Sequence, residues 1–66
     1  MSAWVVFLEY DIEKIKTNIV RVEPYKDFVK RGPVEILTLI RHTRIVDAVD
    51  ALDAWKIARE KYHERY

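Results

Sequence analysis

Sixty-six residues without a cysteine make one small domain that has neither disulfides nor thiolate-bound zinc to reinforce its core. Charged residues form 35% of the chain yet cancel to a formal net charge of +1, so there is no global electrostatic footprint for nucleic acid or an anionic membrane. The longest uncharged run is MSAWVVFL, eight residues, against the ~20 that a membrane span needs. No basic segment precedes it and no small-residue cleavage site follows, so a cytoplasmic protein is expected.

A chain of this length buries only ~60% of its unfolded surface. With disulfides excluded, association with another subunit is the reinforcement that remains. The material for it is present: half of the residues are apolar, including two Trp, four Tyr and two Phe, with one Gly and two Pro. Gln is absent and Asn occurs once, while Ile, Val, Glu, Lys and Arg abound, a thermophile-like composition.

The residues Ala3 to Leu8, AWVVFL, are continuously apolar, which predicts a strand that needs cover on both faces and therefore a central place in a sheet. Glu9, Tyr10 and Asp11 end it. The next segment, DIEKIKTNIVRVEP, is ambiguous in period. Ile12, Ile15, Ile19 and Val22 recur at helical spacing with Asp11 as a possible cap, but Ile15, Thr17, Ile19, Val20 and Val22 are β-branched and fit a pleated surface better. A strand over 15–23, reached through a turn at Asp11–Lys14, is expected.

PYKDFVKRGP reads as a two-turn helix with Pro24 at its first position, Lys30 and Arg31 in its last turn, and Gly32 as a left-handed cap that Pro33 follows. The alternative is an irregular strand connection. VEILTLIRH predicts a third strand, with Val34, Ile36, Thr38 and Ile40 alternating against Glu35, Leu37, Leu39 and Arg41, and with apolar residues on both faces.

From Thr43 or Arg44 a long amphipathic helix is expected. Winding it at about 100° per residue collects Ile45, Ala48, Val49, Ala51, Leu52, Trp55, Ala58 and Tyr62 on one face. Asp47, Asp50 and Asp53 fall early, and Lys56, Arg59, Lys61 and Arg65 late, which matches the helix dipole. Val46 and Ile57 fall on the far side, aligned with each other, where a helix lying only on its own sheet would carry polar residues.

The fold class expected is α+β: a small, mainly antiparallel three-stranded sheet, ordered ββαβα (or βββα if 24–31 is extended), packed by one long C-terminal helix. The surplus apolar surface predicts a homo-oligomer, with Trp4, Leu37, Leu39, Val46 and Ile57 as its interface.

Constellations with chemical meaning are few. Glu60 and His63 have the Glu-x-x-His spacing of carboxylate-bridged metal sites, but such sites draw further carboxylates from other helices, and a solvated helix end explains the pair. Asp47, Asp50 and Asp53 lack the central Gly and terminal Glu of a calcium loop. Ser2 is the only serine, which leaves no nucleophile elbow.

His42 lies in RHTR, where a strand is expected to enter a helix and present backbone N–H groups to an anion. Around it, residues 24–46 hold Lys26, Lys30, Arg31, Arg41 and Arg44 against Asp27 and Glu35, a local balance of +3. With Tyr25 at the edge, this is a possible anion or nucleic-acid surface. No cofactor or metal is implied, and no catalytic set emerges. A non-catalytic interaction or assembly module is the leading expectation, a small nucleic-acid-binding protein the alternative.

Overall fold

A computed structural model describes residues 1–62 and has the expected α+β class. In chain order it contains β1 (Ser2–Asp11), β2 (Lys16–Pro24), α1 (Tyr25–Phe28), α2 (Pro33–Leu39), a 3-10 turn (Ile40–His42), β3 (Thr43–Ala48) and α3 (Ala51–Tyr62). The sheet is wholly antiparallel, with β1 between β2 and β3.

The continuous apolar run of β1 fits that central place. Its even residues Trp4, Val6 and Leu8 face α3, in a core with Val46, Ala48, Ala54 and Ala58, flanked by Ile19, Val22, Ile57 and Tyr62. Its odd residues Val5 and Phe7 face the other way and pack with Phe28 of α1 and with Ile36 and Leu39 of α2. The strand runs on through Glu9, Tyr10 and Asp11, three residues past the expected end, as one arm of a hairpin with β2.

The hairpin turn falls where expected, with Asp11 Oδ1 accepting from the Lys14 N–H at 3.1 Å. Ile15 leaves it with φ of 51°, a left-handed conformation that costs a β-branched residue strain. β2 follows as a strand, as its β-branched content indicates. Phe7 pairs with Arg21 and Leu8 with Ile19, so Val20 is the extra residue of a bulge.

Several expectations need correction. The two-turn helix expected from Pro24 is the four-residue α1, and Pro24 is the last residue of β2 and the extended N-cap of that helix. Residues 34–41 are helical rather than extended. Gly32 is not a left-handed cap: its φ is −65° and it is the extended N-cap of α2, and Pro33, read as a stop, occupies the first turn, where its missing N–H costs nothing. The Thr38 hydroxyl then donates to the Val34 carbonyl at 3.0 Å, one turn back.

The third strand lies instead at Thr43–Ala48, the segment expected to open the long helix. Its β-branched Thr43, Ile45 and Val46 pair residue for residue with Ser2 to Phe7, which supplies β1 with its second neighbour. The final helix is accordingly 12 residues within the described chain and begins later. Asp50 caps it: its Oδ1 accepts from the Asp53 N–H at 2.9 Å, while Asp53 Oδ2 reaches back to the Val49 N–H at 3.0 Å. This reciprocal pairing, close to a capping box, gives both carboxylates a local structural task. Among the described residues no helix is long and apolar enough to cross a membrane.

Candidate functional site

The five residues expected at an oligomer interface do not share a surface. Val46 is 5% exposed and belongs to the core beneath α3, where Ile57 also packs. Winding the segment as one helix aligns the two on its outside, whereas in the structure they lie on a strand and a helix that face each other. Trp4 is partly buried on that side, with its indole Nε1 enclosed and, among the described residues, without an acceptor. Leu39 packs against the Phe28 cluster. Only Leu37, 70% exposed on the outer side of α2, is presented outward.

The basic residues are likewise dispersed. Lys26 borders a shallow apolar groove with Trp4, Pro24 and Tyr25. His42 borders a different one, with Leu39, Tyr10, Ile12 and Val20. Lys30 pairs with Asp27 at 3.8 Å, and Arg44 Nη1 donates to the neighbouring Thr43 carbonyl at 2.7 Å. Arg41 is exposed on the 3-10 turn. The junction at His42 also runs opposite to expectation. A helical turn ends there and a strand begins, so the chain shows C-terminal carbonyls, not the N-terminal N–H groups that attract an anion. Among the described residues no group of three or more His, Asp and Glu is placed to hold a metal ion; His63 lies outside them.

Sequence reasoning missed an ion cluster on the α1–α2 side of the sheet. Glu23 of β2 accepts from both Arg31 Nη1 and Arg31 Nη2, the latter at 3.1 Å, and from Arg21 Nη1 at 2.8 Å. Arg31 Nε donates to Glu35 at 2.9 Å. The Arg21 guanidinium lies 4.0 Å from the centroid of Phe7, and that of Arg31 lies 5.5 Å from Phe7 and 5.3 Å from Phe28. The cluster therefore clamps the loop after α1 onto the aromatic core. Its charges are consumed internally, which removes Arg31 from any basic patch. Glu23 and Arg31 are eight positions apart, a spacing with no local periodicity to reveal it.

The hydrogen bond from Arg31 holds the Glu23 carboxyl below its ordinary value of 4.5, against an opposing effect of burial. A depressed folded-state value means stability that is complete above the unfolded value and lost as pH falls below it. The urea midpoint of the wild type should therefore exceed that of Glu23→Gln at pH 7, and the gap should narrow as pH falls below 4.5. A gap that stays constant with pH would show that the ionised carboxylate contributes nothing.

The feature that the chain does present outward is apolar. Val34, Leu37 and Ile40 are exposed along α2 and its end, whose helical residues include one acid and no base. Ile45 of β3 and Val49 and Leu52 around the start of α3 are exposed as well. No family model matches the chain, and comparison with curated proteins and with solved structures finds no significant match.

Proposed function

We propose that this chain is a non-catalytic interaction and assembly module that works as a homo-oligomer, most simply a two-fold dimer. The observation that carries this reading is the imbalance between its core and its surface. Among the described residues the buried large side chains are Val5, Val6, Phe7, Phe28 and Val46, whereas thirteen large hydrophobic side chains are exposed. Scattered singly, such residues would mean little, but Ile45 and Val49 lie exposed along and just after β3, an edge strand of the sheet.

Light scattering on a sizing column, at low and high salt, tests the reading. The expected mass is twice the 7.9 kDa of one chain, unchanged by salt because burial of apolar surface is not screened. A monomer that binds nucleic acid, with affinity falling steeply as salt rises, would overturn the proposal in favour of nucleic-acid binding.

A further inference from the structure

We infer that two copies join through the free edge of β3, antiparallel and with the two-fold axis at Ile45, to form one six-stranded sheet; the inference rests on the self-association proposed above. Among the described residues the sheet has two free edges, and they differ. The β2 edge carries the devices that discourage strand addition: Lys16 at its start, a bulge at Val20 and Pro24 at its end. The β3 edge, TRIVDA, carries no lysine, proline or bulge, and its register with β1 is unbroken over six pairs. Val46 and Ala48 anchor it from beneath α3. On the opposite face α1 and α2 cover the middle strand but leave Ile45 57% exposed. A strand added beside β3 would cover it.

Charge then selects the register. Antiparallel pairing about a two-fold axis normal to the sheet places one residue opposite its own copy, and the neighbours pair symmetrically around it. An axis at Arg44 or at Asp47 sets like charges directly opposite each other, which is unfavourable. An axis at Val46 places each Ile45 against the mate's Asp47. With the axis at Ile45, Ile45 meets Ile45 and no like charges stand opposite each other: Arg44 falls opposite Val46, and Asp47 falls opposite Thr43, whose hydroxyl already donates to the Ile40 carbonyl. The same register carries the mate's exposed Val49 towards Ile40 and Arg41, which adds apolar area at both ends of the pair.

Ile45→Lys puts two ammonium groups opposite each other at the axis, and its exposure means that the fold of one chain does not depend on it. The expected result is a folded chain whose dissociation constant for the dimer is raised about 10-fold, while Leu37→Lys on α2 leaves the dimer intact. In the wild type, alternate β3 amides facing the free edge should be protected from hydrogen exchange and lose that protection on dilution. If Ile45→Lys dimerises as tightly as the wild type and Leu37→Lys does not, self-association stands and the β3 edge is overturned. A wild type that is monomeric at every concentration removes both. Should Ile45→Lys not fold, the exchange pattern decides: dilution-sensitive protection in β3 supports the inference, and its confinement to α2 overturns it.

Discussion

Truncating Phe28 to alanine should cost about 3–5 kcal/mol of stability, a large share of the roughly 5–15 kcal/mol that holds a typical domain and more than a chain this short is expected to spare. Phe28 is 6% exposed, and its ring meets Phe7 edge to face with centroids 5.9 Å apart. Its helix, α1, is four residues long, far too short to persist by its own hydrogen bonds. Burial of this ring is therefore what seats α1 on the sheet. Arg31 stacks on the same ring, so the substitution also loosens the clamp to Glu23. Urea unfolding of Phe28→Ala should show a much lower midpoint, or a chain already unfolded at 25 °C. A loss below about 1 kcal/mol, the scale of an average point substitution, would mean that this side of the sheet is not a core.

How much of this was legible in the sequence follows from where the information resides. The central strand was legible because AWVVFL is apolar at every position, and only burial on two faces explains such a run. β2 was legible despite its helical spacing, since its β-branched residues outweigh the period. VEILTLI was not, because a seven-residue segment with five aliphatics fits both periods equally. What decides it is Gly32–Pro33 acting as a start, a reading available locally but displaced by taking Pro33 as a stop.

TRIVDA failed for a different reason. Its β-branched Thr43, Ile45 and Val46 favour a strand locally, but the helical stripe that runs on through Leu52 and Trp55 outweighs them until the need of β1 for a second neighbour, some forty positions away, is counted. The true helix start was written in Asp50 and Asp53, three apart, once the reciprocal bonds to the Asp53 and Val49 amides are considered. The candidate site inherited these errors. Val46 and Ile57 share one core, so their association was real, but it is within one chain rather than between two. The basic segment dissolves because Arg31 is bound by Glu23 and Glu35, and Lys30 pairs with Asp27.

Two aspartate substitutions separate the strand from the helix that the sequence suggested, since the two readings reverse their effects. In a helix running from Thr43, Val46 faces outward and Leu52 lies on the buried stripe. In the fold, Val46 is 5% exposed beneath α3 and Leu52 is 80% exposed. Val46→Asp should therefore unfold the chain. It sets a carboxylate among Val6, Ala54 and Ala58, whose side chains offer it no hydrogen bond or counter-charge, and burial of an unpaired polar or charged group costs several kcal/mol. Protonation lowers that cost without removing it, because the neutral acid is still a polar group set among aliphatic side chains. Leu52→Asp should change stability by no more than about 0.5 kcal/mol, since it adds a negative charge to the first turn of α3, where the dipole favours one. Paired denaturation curves give the answer. A tolerated Val46→Asp together with a disruptive Leu52→Asp would return 43–62 to a single helix, and would remove the β3 edge on which the six-stranded sheet depends.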